Sequence, residues 1–202
     1  MTIPIFVISL PNSERRVHIK THLEEHHLPF EFWDGHIVTE RIDAHGKNSL
    51  SFGTLGCLIA YLDLYKHIAE NEIELTLILE DDVVCHPHTN FTEIIFSKVI
   101  DYTQADYCFL HSYPPNYKPC GTQSQLITLN AAKILNAERD VILNTNLPID
   151  LVLWGGHTPL RIGNIYNEGR WLFKHAHNYD DSNLSERMKI NKTHQNTTGD
   201  YS

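Results

Sequence analysis

The chain has 202 residues, 42% of them hydrophobic, and a formal net charge of -9. That length buries one sizeable core and is short for two, so residues 1–189 are expected to form a single domain with 190–202 as a mobile tail. The acidic balance excludes a broad nucleic-acid surface, which needs clustered excess Lys and Arg, so an anionic ligand has to be met locally.

Residues 3 to 10, Ile-Pro-Ile-Phe-Val-Ile-Ser-Leu, are β-branched and aromatic and predict a first strand, with Pro4 confined to its start. The N-terminus lacks a signal-peptide pattern, and no apolar run approaches the roughly 20 residues that span a bilayer, which together point to the cytoplasm. After the strand, Asn12 or Ser13 can cap a helix running to about His27. A strand, a turn and a helix start form a plausible anion cradle, to which Arg15 and Arg16 add positive charge. The plainer alternative is an exposed arginine pair.

Pro29 to Gly35 reads as a short second strand ending in an Asp34-Gly35 turn, and residues 36–52 as a loop. Gly53-Thr54-Leu55-Gly56-Cys57 opens the best helix of the sequence, with Thr54 as its cap and Leu55, Leu58, Ile59, Leu62, Tyr65, Ile68 and Ala69 on one stripe. Most of that stripe is core. The glycine-rich start, Gly53 and Thr54, can contact a ligand through close backbone approach.

Leu75-Thr76-Leu77-Ile78-Leu79 is a nearly uninterrupted apolar run, the pattern of a strand buried on both faces of an α/β sheet, and Glu80-Asp81-Asp82 follow at once. Ligands of open α/β sheets bind outside the carboxyl ends of the strands. Adjacent carboxylates there repel one another, and a hard divalent cation neutralises them well, so metal-assisted handling of a phosphate is the chemistry suggested. An acidic turn that caps the next helix is the competing reading.

His86 and His88 flank Pro87 and read better as a surface turn than as metal ligands. A helix over 91–100, a strand Asp106–His111, a loop Tyr113–Gly121, a strand Gln123–Leu129 and a helix Ala131–Arg139 capped by Asn130 follow. Cys57, Cys85, Cys108 and Cys120 lack a paired spacing and read as reduced thiols. In Leu147–Trp154, Asp150 stands near a helix start, where the dipole favours its ionised form; it suits a carboxylate base, but the local pattern favours a simple cap. Residues 162–175 predict one or two strands.

In order and spacing, several of these pieces together resemble the family 25 glycosyltransferases, the bacterial lipooligosaccharide galactosyltransferase group with collagen-modifying relatives. They are Phe6 to Leu10 with Ser13 to Arg16, Pro29 to Gly35, Gly53 to Cys57, Ile78 to Val83, and Pro148-Ile149-Asp150. The resemblance implies an α/β fold, a GT-A-like, Rossmann-type nucleotide-sugar-binding domain with a mostly parallel central sheet. It implies transfer of a hexose, most often galactose, from a UDP-sugar with inversion at the anomeric carbon.

Carried onto this sequence, it implies that Asp82 coordinates Mn2+ or Mg2+ with a late histidine, His175 or His177, completing the shell. Glu80 and Asp81 would hold ribose, sugar or metal-bound water; Ser9, Leu10, Arg15 and Asp34 would form the nucleotide edge; Asp150 would be the general base. The implied partners are a UDP-sugar donor and a glycolipid or oligosaccharide acceptor, with no nucleic acid. The implied location is cytoplasmic, with peripheral contact at the inner face of the membrane. The chain differs from the family pattern at Ala60-Tyr61, where Ser-His is common, and at Ser124-Gln125, where Ala-Tyr is common. A non-catalytic nucleotide-sugar or glycan-binding module on the same fold is the alternative, and a metal-dependent phosphohydrolase a third, without the spacing that would support it.

Overall fold

A computed structural model describes residues 3–39, 50–85, 106–110, 122–154, 162–164 and 173–175. Strand β1 (Ile5–Ser9) is buried on both faces, as its unbroken apolar sequence requires, and it leads through a turn into helix α1 (Arg15–Glu25). Strand β2 (Glu31–Asp34), helix α2 (Phe52–Glu70) and strand β3 (Leu75–Glu80) follow, then β4 (Val83–Cys85), β5 (Tyr107–Phe109) and β6 (Ser124–Thr128). Helices α3 (Leu129–Ala137), α4 (Arg139–Asn144) and α5 (Ile149–Trp154) and strands β7 (Ile162–Asn164) and β8 (Phe173–His175) complete the described elements.

The main sheet has the order β2-β1-β3-β6-β5-β7. Strands β2, β1 and β3 run parallel, β6 is antiparallel to both of its neighbours, and β7 is parallel to β5. The expected mostly parallel α/β sheet is therefore present, with β6 as its reversed strand. Strand β4 pairs antiparallel with β8 in a separate ribbon that sets His175 opposite Val83.

Because side chains alternate along a strand, each strand feeds two cores. Ile5, Val7, Leu77 and Leu79 pack with Ile19 and Leu23 of α1, whereas Phe6, Ile8 and Ile78 pack with Leu58, Leu62, Tyr65 and Ile68 of α2. Helix α2 buries more than the expected stripe, Ala60, Tyr61 and Leu64 included, because it packs against α3 as well as the sheet.

Three caps differ from expectation, each by a few residues. Helix α2 starts at Phe52 and is capped by Ser51, whose hydroxyl accepts the Thr54 amide at 3.2 Å. Thr128, not Asn130, caps α3 by accepting the Ala131 amide at 3.2 Å, and Asn130 donates to Asp106 at 3.0 Å instead. Helix α1 starts at Arg15 with Glu14 in the cap position, while the Ser13 hydroxyl accepts the Arg15 amide at 3.2 Å. Any of these small polar residues satisfies an orphan amide, so the choice between neighbours depends on where the chain enters the helix. The expected helix over 91–100, the loop Tyr113–Gly121, His86, His88, His177 and the tail 190–202 lie outside the described residues. No helix among the described residues is long and apolar enough to cross a membrane.

Candidate functional site

The carboxyl ends of β1 and β3 lie side by side, with Ile8 in register with Glu80. Strand alternation then splits the acids: Glu80 has the parity of Ile78 and faces α2, and Asp81 turns toward the α1 side. Asp81 Oδ2 accepts the Ser9 hydroxyl at 2.6 Å and the Ser13 hydroxyl at 3.3 Å. Arg15 Nη1 bridges Asp81 Oδ1 at 3.4 Å and Asp82 Oδ2 at 3.5 Å. Arg15, Asp81 and Asp82 side chains are only 19%, 14% and 13% exposed, so water screens this pairing less than it does a surface ion pair.

The second arginine performs a separate task. Arg16 Nη2 donates to the Ser9 carbonyl at 2.9 Å and to Asp34, and its guanidinium stacks 4.6 Å from the centre of the Phe32 ring. It clamps the end of β2 to the end of β1, where Ser9 and Asp34 are in register. The two arginines are thus built into the sheet edge rather than directed into solvent.

Glu80 is held from behind. The Thr122 hydroxyl donates to Glu80 Oε1 at 2.6 Å, and the Tyr61 hydroxyl lies 2.9 Å from the same oxygen while reaching the Thr122 carbonyl at 2.7 Å. Tyr65 donates to Gln125 Oε1 at 3.1 Å, and Gln125 Nε2 donates to the same Thr122 carbonyl at 3.3 Å. Burial first, and the neighbouring Asp82 charge second, push the Glu80 carboxyl up to about 7. A proton on Glu80 Oε1 also completes the hydrogen-bond count: Glu80 donates to Tyr61, Tyr61 to the Thr122 carbonyl, and the Thr122 hydroxyl back to Oε1. Burial likewise raises the Tyr61 and Tyr65 phenols, which keeps both protonated.

Tyr61 lies level with the end of β3, and Tyr65 bonds Gln125, which is in register with Ile78 further down. Helix α2 therefore runs against β3, and its start at Phe52 lies nine residues, about 13 Å of helix, before Tyr61. Gly53 and Thr54 belong to that first turn. The close backbone approach anticipated in this glycine-rich start occurs at Gly56, and the chain itself makes it: a Cβ there would lie 2.2 Å from the His36 carbonyl oxygen. His36 is held by Asp63 at 2.7 Å, which also pairs with Arg139 at 2.6 Å.

Asp150 sits in the first turn of α5, half-buried, while Ile149, Val152 and Leu153 anchor that helix in the α2 core. Its charge is among those that raise the buried Tyr107 phenol. No hydrogen bond or ion pair among the described residues joins it to the acid turn. The structure thus brings Ser9, Arg15, Asp81 and Asp82 into one cluster and links Asp34 to it through Arg16. Leu10, 44% exposed, follows Ser9 at the open edge. Ser13, Tyr61 and Thr122 are the members not assigned to the site from sequence: Ser13 reads there as a cap and motif residue, Tyr61 as a departure from the family pattern, and Thr122 carries no signal.

Cation fit rests on donor chemistry. Asp81 is engaged by two hydroxyls and Arg15, and the same Arg15 guanidinium reaches Asp82 by a longer contact. Hard carboxylate oxygens suit Mg2+ or Mn2+, and Mg2+ is often held by one or two carboxylates together with phosphate and water. No group of three His, Cys, Asp or Glu side chains among the described residues has metal-holding geometry, so any cation here depends on ligands beyond them. Beside Asp81 a cavity of about 350 Å³ opens between α1 and β4, lined among others by His18, His22, Glu25 and Val84.

A mostly parallel α/β sheet with acids at the carboxyl end of a central strand agrees with the GT-A-like domain expected from the family resemblance. The pattern of glycosyltransferase family 25, described as LPS biosynthesis protein, matches residues 2–113, more than half of the chain. The chain belongs to glycosyltransferase family 25. It is 27% identical over 179 residues to a Haemophilus influenzae protein whose name places it among the glycosyltransferases. That alignment covers 73% of this chain and 60% of the relative, so the chain spans about 60% of the length of the curated relative it matches. A solved glycosyltransferase involved in the glycosylation of the major capsid of PBCV-1 shares the fold, with a TM-score of 0.56 at 15% identity, over 94% of this chain and 100% of that one. The family match includes every residue of the cluster from Ser9 to Asp82 and stops before Asp150.

Proposed function

We propose that this glycosyltransferase moves a hexose, most readily galactose, from a UDP-sugar to a lipooligosaccharide or other glycan acceptor. One observation carries the reading: the acid turn closes the central strand at the point where Ser9, Ser13 and Arg15 close the first strand. Open sheets of this kind bind their ligands at that edge. Leu10 and Asp34 extend it on the β2 side for the nucleotide, and Gly53 and Thr54 add backbone contacts from the start of α2.

Arg15 can meet the donor diphosphate, since it stands at the acid turn and its planar guanidinium matches phosphate geometry. Ser9 and Ser13 fix Asp81, so the turn presents its carboxylates without reorganising when a donor arrives. Mn2+ or Mg2+ would be held by Asp82, and by His177 beyond β8; it would stabilise charge on the departing UDP. That β8 runs beside the residue following Asp82 supports a late histidine in this role. Asp150, in the first turn of α5, takes the proton from the acceptor hydroxyl. Peripheral contact with the inner face of the membrane would follow from a glycolipid acceptor.

The test is transfer of labelled galactose from UDP-galactose to a lipooligosaccharide acceptor by wild type and Asp150→Asn. Loss of a general base predicts a fall of about 100-fold or more in turnover with UDP binding spared. Full turnover in Asp150→Asn would remove it as the base. UDP binding without any transfer by wild type would make the protein a nucleotide-sugar-binding module on the same fold.

A further inference from the structure

Glu80 uses its two oxygens unequally. Oε1 takes both contacts of the Tyr61–Thr122 grip, at 2.9 and 2.6 Å. Oε2 has no hydrogen-bond partner among the described residues, and Glu80 is half-buried rather than enclosed, so this is the oxygen left to meet a ligand. Tyr61 is fully buried and Thr122 is 5% exposed, which leaves the carboxyl little freedom to turn. A planar group fixed through one oxygen aims the other, and the backbone sets the direction: the Glu80 amide is locked to the Gln123 carbonyl at 2.8 Å.

We infer that Tyr61 and Thr122 are positioning residues that aim Glu80 Oε2 at a hydroxyl of the donor sugar and thereby set which hexose the site accepts. The inference rests on the UDP-sugar reading above and deepens it. Oε2 can accept a sugar O–H bond whether or not the carboxyl carries a proton on Oε1, so the arrangement works on both sides of neutrality. Sites that hydrogen-bond a substrate hydroxyl discriminate strongly against the analogue that cannot make the bond, because the buried partner is then left unpaired. Epimers such as galactose and glucose differ by the direction of one hydroxyl, and a fixed acceptor can tell them apart where a rotating one cannot.

The experiment measures dissociation constants of UDP, UDP-galactose, UDP-glucose and UDP-N-acetylglucosamine by competition against a fluorescent UDP analogue. The proteins are wild type, Tyr61→Phe, Thr122→Val and Thr122→Ser. UDP has no sugar and should bind all four proteins alike. Wild type should prefer one hexose, Tyr61→Phe and Thr122→Val should flatten that preference by about tenfold, and Thr122→Ser, which keeps the hydroxyl, should retain it. A purely structural role would weaken UDP and every UDP-hexose by one common factor, and that result would overturn the inference. So would an unchanged ratio in both Tyr61→Phe and Thr122→Val, or a wild type indifferent to the hexose. A wild type that binds neither UDP nor any UDP-hexose would overturn the UDP-sugar reading itself, and the positioning role with it.

Discussion

Glu80 binds its proton more tightly in the folded protein, near 7, than an exposed glutamate does at 4.5. Between those values the folded state holds more protons than the unfolded one, so the contribution of this group to stability falls as pH rises through that window. Glu80→Gln cannot ionise and should abolish the slope. In urea unfolding without divalent cations, the variant should gain on wild type at about pH 8 and show little difference at about pH 4. A gap of equal size at both would mean that the carboxyl ionises freely in the fold. Alternation along β3 separates Glu80 from Asp81, a split that reading them as adjacent carboxylates at one strand end does not draw. The partners were not legible: Tyr61 and Thr122 lie 19 and 42 residues away, and only the folded sheet brings them together.

At the scale of elements, the order of strands and helices from β1 to β3 followed from apolar patterning, whereas their caps did not. Thr128 and Asn130 are both competent caps two residues apart, and the backbone bond from the Thr128 amide to the Asp106 carbonyl at 3.0 Å fixes where the chain turns into α3. Thr128→Ala should therefore cost about 1 kcal/mol in chemical unfolding; a cost near zero would deny it the cap. Gly56 offers a sharper test of how α2 meets the segment after β2. Gly→Ala inside a helix ordinarily stabilises by about 1 kcal/mol. Here the new Cβ would lie 2.2 Å from the His36 carbonyl, backbone that cannot swing aside as a side chain can. Gly56→Ala should lower stability by about 1–3 kcal/mol, and a neutral or stabilising result would show that residue 36 does not rest on the helix.

Across the whole molecule, the reversed direction of β6 was beyond the reach of local patterning, because a strand's sequence does not state its neighbour. That reversal matters to the site: it brings Thr122, at the entry to β6, to the exit of β3. The two departures from the family pattern, Tyr61 and Gln125, both hydrogen-bond the Thr122 carbonyl, at 2.7 and 3.3 Å. They form one buried network although 64 positions separate them. With a net charge of -9, the molecule as a whole repels a nucleotide sugar, so donor binding has to come from the local cluster of Arg15, the acid turn and a cation.

The most direct measurement is calorimetric titration of UDP-galactose into wild type and Asp82→Asn, with and without Mn2+. The account predicts binding by wild type that strengthens at least about tenfold with Mn2+, and loss of that enhancement in a still-folded Asp82→Asn. Binding by wild type that is indifferent to Mn2+, or an Asp82→Asn variant that keeps the full enhancement, would contradict the placement of the donor and its cation at the acid turn.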